Sequence, residues 1–481
     1  MKKIVKNTVI IYIVLLFNMM NIFGQEVTFI THIVDDNFDG PGGIYIADLN
    51  NDGQKDIISA AIDDNTIAWW ENQKGDSITW QKYIIDSDFI GAIYVSTADV
   101  DGDSLPDILG AAYYCDEIAW WHNEGGNPIL WTKQTIESNF IDAHEIMAYD
   151  IDQDNDMDIL GVSAGLNTIA WFENDGSYPV QWTKHIVENN FAGARSVDAG
   201  DLDGDGDIDL AGAALLNNEI AWWRNEGNSP IEWTKFTINS NFMYSHKVHI
   251  SDIDKDNDLD ILGTAYSSGV SWWRNDGGDT IVWEKQIVGV LNTAVIAWAV
   301  DMNQDNDMDI ICSAQDLSRL VMWNNEGSNS LNWDYQLIDN TLSGSWPLYC
   351  GDLDNDSDID IVCGGNYENE IRWYENDLIT TSNYEITENP DNLNLICFPV
   401  PFKEEINIKY TLPDQSFVTI QIFDFTGRLI KDLLMKEQLQ GDYCVTWNKT
   451  NNMGSNIQPG NYFCILRTET DIIVSKIILV K

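Results

Sequence analysis

Four oxygen-bearing side chains recur at fixed positions of a nine-residue acidic loop, seven times along the 481-residue chain. The sets are Asp48, Asn50, Asp52 and Asp56; Asp99, Asp101, Asp103 and Asp107; Asp150, Asp152, Asp154 and Asp158; and Asp201, Asp203, Asp205 and Asp209. They continue as Asp252, Asp254, Asp256 and Asp260; Asp301, Asn303, Asp305 and Asp309; and Asp352, Asp354, Asp356 and Asp360. Each set occupies loop positions 1, 3, 5 and 9. Alternate side chains converging on one point, with a further carboxylate beyond, make an oxygen shell for a hard cation. Calcium takes roughly six to eight oxygens and tolerates irregular geometry. Carboxylates held this close repel strongly unless a cation sits among them. Asn50 and Asn303 keep an oxygen at position 3 and lose a charge. The expectation is a calcium site at each loop.

Position 6 is Gly53, Asn155, Gly206, Asn257 or Asn306 in five loops. These residues tolerate the left-handed backbone that a tight loop demands, and Ser104 and Ser357 depart from that pattern. An EF-hand also begins with alternating acids, but it needs a Glu at position 12 and flanking helices. Position 12 is Ser59 in the first loop and Gly212 in the fourth, and the flanks read as strands. A solvated acidic turn without metal is the plainer alternative.

The loops keep time. Their first aspartates are 51 residues apart, except for 49 between Asp252 and Asp301. A fixed period of this length marks a solenoid, a propeller or an array. One repeat contains Ala92 to Ala98, the acidic loop, Ile108-Leu-Gly-Ala-Ala, Ile118-Ala-Trp-Trp and Trp131-Thr-Lys-Gln-Thr-Ile. Those are four short strands separated by turn residues, the content of a propeller blade. Ring closure is legible too. The fourth-strand pattern begins at Trp80, Trp131, Trp182, Trp233, Trp283 and Trp333, and is missing after the seventh third strand. Its equivalent, Phe29-Ile-Thr-His-Ile-Val, precedes the first loop, so the strand at 27–34 is expected to complete blade 7. The predicted fold is all-β, a seven-bladed β-propeller followed by a small Ig-like β-sandwich. Of the 20 tryptophans, 17 fall at repeated blade positions and read as packing; Trp298 and Trp346 do not.

These residues resemble the FG-GAP/VCBS repeats, the calcium-loop blades also found in integrin α-subunit propellers. The resemblance spans 25–377 and implies calcium sites on one face, in a family that is mostly structural or binding, with some members in polysaccharide-degrading enzymes. Residues 1–24 read as a signal peptide: Lys2, Lys3 and Lys6, then an uncharged apolar stretch from Thr8 to Phe17. No segment is long and apolar enough for a transmembrane span in the mature protein. Residues 378–392 read as a polar linker. Residues 393–481 are similar to the type A sorting domain of the type IX secretion system. The matching residues are Tyr410-Thr-Leu-Pro413, Ile422-Phe-Asp-Phe-Thr-Gly-Arg428, Gly441-Asp-Tyr443, Trp447, Gly460-Asn-Tyr462 and the closing Lys476 to Lys481, with Pro399-Val-Pro401 in place of the usual Pro-Asn-Pro. That resemblance implies handling by the type IX machinery, outer-membrane export, and a final place at the cell surface or outside it.

The formal charge of −51 excludes nucleic acid as a partner, because such binding rests on basic residues that neutralise phosphates. Seven cysteines are present. Cys312 and Cys363 occupy a position that elsewhere holds Ser59, Gly110, Gly161, Gly212 or Gly263, so they read as small buried thiols. Cys444 and Cys464 are the candidates for a disulfide.

A ligand site is expected on the face opposite the calcium loops. Six residues before each first aspartate stand Gly42, Ile93, His144, Arg195, His246, Val295 and Trp346. This position varies while its surroundings repeat. His144, Arg195 and His246 come from consecutive blades, with Glu145 and Lys247 beside them, and the links between second and third strands add Tyr113 and Tyr266. Aromatic faces with a few charges suit a sugar, above all an acidic one. His32 and His185 sit at equivalent fourth-strand positions and read as structural. The functional expectation is a secreted calcium-binding propeller that binds an extracellular glycan or protein. The alternative is a polysaccharide lyase on the same scaffold, with His144 as base and Arg195 as charge neutraliser. A surface protein without a small ligand is a third reading.

Overall fold

The computed structural model describes residues 27–378 and 394–479, apart from 74–77, 278–280, 326, 328–332, 399–401, 404, 425–427, 453, 455, 459 and 469–471. The signal peptide expected at 1–24 and nearly all of the linker expected at 378–392 lie outside the described residues. The chain divides into two compact units between Thr380 and Thr381.

The first unit is a propeller of four-stranded antiparallel sheets. Blade 1 runs Pro41–Ala47, Asp56–Ala61, Thr66–Gln73 and Thr79–Asp86, in that order. The innermost strands of blades 2 to 7 are Ala92–Ala98, Ala143–Tyr149, Ala194–Gly200, Ser245–Ser251, Ala294–Val300 and Ser345–Gly351. In blade 7 the outermost strand is the N-terminal Phe29–Asp35, paired antiparallel with Glu370–Asn376, Phe29 opposite Asn376. Innermost strands of successive blades touch around the whole circle, Pro41–Ala47 against Ser345–Gly351 included. Every blade therefore has a neighbour on each face. That is why second strands such as Asp107–Ala112 and Asp209–Ala214 are buried at every position, and why they read as continuous runs of small and apolar residues.

The repeated aromatic residues hold each blade together. In blade 2, Phe89 meets Trp121 edge-on at 4.9 Å, and Lys133 lies over both rings at 4.5 and 5.5 Å. The same Phe–Trp–Lys arrangement recurs with Phe38, Trp70 and Lys82, and with Phe191, Trp223 and Lys235. The Lys of the fourth-strand pattern thus offers its stem and charge to an aromatic pair. The small residue of the second strand faces this pair. A Cβ at Gly110 would lie 2.7 Å from the Trp121 ring, and one at Gly212 would lie 2.9 Å from that of Trp223. Cys312 and Cys363 fill the matching position as fully buried free thiols. His32 and His185 are structural: each stacks on a tryptophan, Trp373 or Trp171, and bonds Glu375 or Glu173.

In every blade the innermost strand carries a β-bulge. Pairing passes from Ala143↔Ser163 to Glu145↔Val162, from Ala194↔Ala214 to Ser196↔Ala213, and from Ser245↔Ala265 to Lys247↔Thr264. The residues left unpaired are His144, Arg195 and His246. A bulge frees one residue from the ladder and re-aims its side chain.

The second unit is a β-sandwich. One sheet orders Asn394–Phe398, Ile406–Leu412 and Gly441–Trp447; the other orders Leu429–Gln438, Ser416–Asp424, Gly460–Arg467 and Ile472–Leu479. Both sheets contribute to a core that includes Ile406, Ile408, Ile420, Leu466 and Trp447. The candidate Cys444–Cys464 disulfide is not formed, because Cys444 is exposed while Cys464 is buried against Cys397 of the opposite sheet. Among the described residues no helix is long and apolar enough to cross a membrane.

Gly110→Val is expected to destabilise the propeller by about 1–3 kcal/mol through overpacking against Trp121, whereas Cys363→Ala is expected to leave the melting temperature nearly unchanged. Thermal melts of the two variants check this.

Candidate metal loops and channel-mouth site

Each acidic loop folds around its own carboxylates. The first aspartate accepts the backbone N–H of position 6 in every loop: Gly53, Ser104, Asn155, Gly206, Asn257, Asn306 and Ser357, at 2.9–3.1 Å. All of these position-6 residues have left-handed φ, Ser104 at 70° and Ser357 at 78° included. The loop geometry therefore overrides the preference of serine. The fifth-position aspartate accepts the N–H of position 7, as Asp103 does from Leu105 at 2.8 Å.

The ninth-position aspartate ties the loop to the sheet. In blade 2, Asp107 Oδ2 accepts the N–H of Val100 and Oδ1 accepts that of Asn123, at 3.1 and 2.8 Å. Asp56, Asp158, Asp209, Asp260, Asp309 and Asp360 repeat the pattern. Burial pushes these carboxyls up to about 7, and to about 8 for Asp260 and Asp360, against the pull of the two N–H donors. Buried oxygens of Asp99, Asp101, Asp150, Asp152, Asp201, Asp254 and Asp352 have no hydrogen-bond partner. One ligand atom each from Asp150, Asp152 and Asp158 lies within 4.8 Å of the others, as do those of Asp201, Asp203 and Asp209, and of Asp252, Asp254 and Asp260. Orphaned oxygens beside carboxyls that burial discourages from ionising fit a hard divalent cation, which would neutralise them and tie positions 1, 3, 5 and 9 together.

The loops are also linked around the ring. Asn123 Nδ2 donates to the Leu49 carbonyl in the loop of blade 1, at 3.1 Å. Asn72, Asn174, Asn275 and Asn376 reach Leu353, Val100, Leu202 and Met302 in the same way, at 2.7–2.9 Å. Position 4 adds a second link, as Gln304 Nε2 donates to Ser357 O at 3.0 Å and Asn355 Nδ2 to Gly53 O at 3.3 Å.

Strands alternate in direction within each blade, so the loops share one face and the bulge residues lie at the other end of the innermost strands. There the structure brings the six expected ligand residues together. Arg195 Nε and Nη2 lie 3.4 Å from His246 Nε2. The His246 ring lies 6.2 Å from that of His144, 5.5 Å from Tyr266 and 6.4 Å from Trp346. Burial and the Asp142 charge push the Tyr113 hydroxyl up, and the Arg195 charge draws it back. Both histidines are buried, and burial plus the Arg195 charge holds them neutral, well below the usual imidazole range. The His144 ring faces the Arg195 backbone, yet neither nitrogen makes a well-formed hydrogen bond.

Among the described residues no carboxylate lies within ion-pair distance of Arg195. It opens onto a cavity of about 570 Å³, lined also by Leu215, Tyr244, Tyr266, Ser267, Asn292 and Thr293. The position eight residues before each loop takes left-handed φ throughout. It is Gly40, Gly91, Gly193 and Gly344 in four blades and Asp142 in a fifth; the remaining two are Tyr244 at 59° and Thr293 at 58°. Both of those line the cavity, and Thr293 Oγ1 is buried without a partner. A β-branched residue in that conformation is strained, and such strain clusters at functional sites.

Lys247 is not available to a ligand as its sequence position suggests. It forms a buried ion pair with Glu145 across the channel, between the rings of Tyr94 and Trp298. Deeper still, burial would raise the Asp198 carboxyl, but hydrogen bonds from His249 and Tyr149 hold it below its ordinary value. Trp298 and Trp346, which the blade pattern leaves over, both face this channel lining.

Residues 48–110, 99–161, 150–212, 252–312 and 301–363 match the FG-GAP-like repeat, which together covers more than half of the sequence. The chain belongs to the FG-GAP-like repeat family. Residues 397–481 match the secretion system C-terminal sorting domain, so this FG-GAP propeller is exported by type IX secretion to the cell surface or beyond. No curated protein sequence matches the chain. Solved structures similar to the chain include "Crystal structure of BBS1N in complex with ARL6DN" soaked with lead and the same complex soaked with mercury. Both are 12% identical, with TM-scores of 0.48 and 0.47, and cover 76% of this chain and 99% of that chain.

Sequence reasoning overlooked the asparagines that stitch the FG-GAP loops together. Their signal was present, since Asn72, Asn123, Asn174 and Asn376 each stand 24 residues after the first aspartate of their loop, and Asn275 stands 23 after. It was hidden because Asn after an aromatic run reads as a turn residue. Asn123→Ala would leave Asp107 with its backbone bonds but remove the side-chain link to blade 1. A loss of about 1–3 kcal/mol is expected, read as a lower urea midpoint with an unchanged transition slope.

Proposed function

We propose that this exported propeller is a calcium-loaded binding module whose channel mouth takes an acidic glycan. The observation that carries the reading is Arg195, a half-buried guanidinium with no carboxylate partner among the described residues, opening onto a strained and partly unsatisfied cavity. A guanidinium binds a carboxylate or sulfate bidentately and is less hydrated than an ammonium, which suits a half-buried anion site. Tyr244 and Tyr266 supply rings for a sugar face, Thr293 an unused hydroxyl. The exposed rim residues Tyr114, Leu216, Met243 and Tyr367 add apolar area around the mouth for a longer chain.

The test is calorimetric titration of the full exported chain, in calcium, with uronate-bearing and neutral oligosaccharides of equal length. The acidic series is expected to bind, and Arg195→Ala to weaken it about tenfold or more, in keeping with loss of a charge-assisted hydrogen bond. Equal binding of both series, or no effect of Arg195→Ala, contradicts the proposal. Neutral histidines beside Arg195 favour a second reading, a polysaccharide lyase in which a base removes the proton next to the uronate carboxylate. His144 and His246 are only 6% and 3% exposed, behind Arg195, which supports binding over elimination. Unsaturated products released by the wild-type chain and lost in His144→Ala would reverse that preference.

Calcium at the loops is the second part of the proposal, held by the position 1, 3, 5 and 9 side chains of each loop. With a dissociation constant near ~10⁻⁴ M and ~1 mM calcium, one site contributes about 1.4 kcal/mol. Several independent sites reach on the order of 10 kcal/mol, comparable to the stability of a whole domain. Chelation is expected to lower the melting temperature of the propeller by well over ~10 °C. An unchanged melt in chelator counts against metal loading.

A further inference from the structure

One third-strand residue stands near loop position 3, touching it in four blades, and its chemistry differs from blade to blade. The residue is Glu71, His122, Glu173, Arg224, Arg274, Asn324 or Glu375. Asn50 Nδ2 donates to Glu71 Oε1 at 3.0 Å, and Asn303 Nδ2 to Asn324 Oδ1 at 2.6 Å. Arg274 Nε pairs with Asp254 at 2.8 Å and already supplies a positive charge there. Only the second loop receives an imidazole.

We propose that the second loop, with His122, is a mixed nitrogen–oxygen site that selects a zinc-class transition ion over calcium. His122 is 5% exposed, and its Nδ1 lies 3.2 Å from Asp101 Oδ2 and 3.5 Å from Asp107 Oδ1. Neither approach is a hydrogen bond, and Nδ1 is left without a partner, as are one oxygen of Asp101 and one of Asp99. One ligand atom each from Asp101, Asp107 and His122 falls within 4.8 Å of the others. On the far side of the ring Nε2 faces Glu124 Oε2 at 3.8 Å. A carboxylate on that side favours a proton on Nε2, which leaves Nδ1 as the nitrogen to ligate. The Trp120 and Tyr178 rings flank the imidazole, edge-on at 5.7 and 6.3 Å, and fix its plane.

Calcium draws its ligands from oxygen and gains little from an imidazole. Zinc takes His nitrogen and Asp oxygen together, and affinity for such sets rises along the first-row divalent ions toward copper and zinc. Replacing the Glu of blades 1, 3 and 7 by His therefore changes which ion is preferred while the loop backbone stays the same. The inference rests on the loops being cation sites, and the calcium dependence of the melt tests that reading separately.

The test strips the full exported chain with chelator, then dialyses it against millimolar-scale calcium (~1 mM) with zinc supplied equimolar to the chain. Wild type is expected to retain one zinc per chain against the calcium excess. His122→Glu, which restores the residue of neighbouring blades, is expected to bind zinc at least tenfold more weakly while keeping a calcium-dependent melt. Wild type that retains no zinc overturns the proposal, as does equal retention by His122→Glu; the contact is then a plain histidine–carboxylate ion pair. Should the variant fail to fold, cobalt in the wild-type chain decides. Visible bands of a nitrogen-ligated ion that persist in excess calcium support the site, and bands erased by calcium overturn it.

Discussion

A single buried carboxylate per blade performs two tasks at once. The ninth-position aspartate closes its own loop through one oxygen and anchors the end of the third strand through the other. The neighbouring asparagine then reaches into the loop of the preceding blade. Loop, sheet and ring are in this way one network, repeated at a fixed phase. Because the carboxyl is buried among other acids, it resists ionisation, and the loop oxygens around it stay unsatisfied. A bound cation resolves both problems together, so the stability of the wheel and the loading of its loops are a single physical question.

The two faces follow from one topology. Antiparallel strands place the acidic loops at one end of every innermost strand and the bulges at the other. The loop end is repetitive because in every blade the same carboxylates accept the same backbone N–H groups. The bulge end is free to vary, since the residue there is released from pairing and its blade holds together without it. Arg195, His144 and His246 occupy that freed position. The strained backbone at Tyr244 and Thr293 lies beside them, at the point of the ring where the glycines of other blades are abandoned.

Much of this was legible before the fold was known. The period gave blade number, and the stray Phe29 strand gave the closure. The small-residue position explained Cys312 and Cys363 as packing, which the Trp121-type rings bear out. Two things were not legible. The bulge cannot be seen in a sequence, because it is a register slip between strands, so the variable position was visible without its cause. Partners distant in sequence were also hidden. Lys247 looked free to meet a ligand, yet it pairs with Glu145 two blades away, and Cys464 lies against Cys397 in the opposite sheet where sequence suggested Cys444. Such pairings depend on which faces meet across a channel or a sandwich, and no local pattern encodes that.

If the acidic loops are cation sites, the bound ions can be counted. Native mass spectrometry of the full exported chain, exchanged into volatile buffer with calcium, should show a ladder of bound ions that approaches one per loop. The ladder should shorten by one when Asp201 and Asp203 are both changed to Asn. A spectrum showing the bare chain alone, with the propeller folded, would mean that the loops hold no cation.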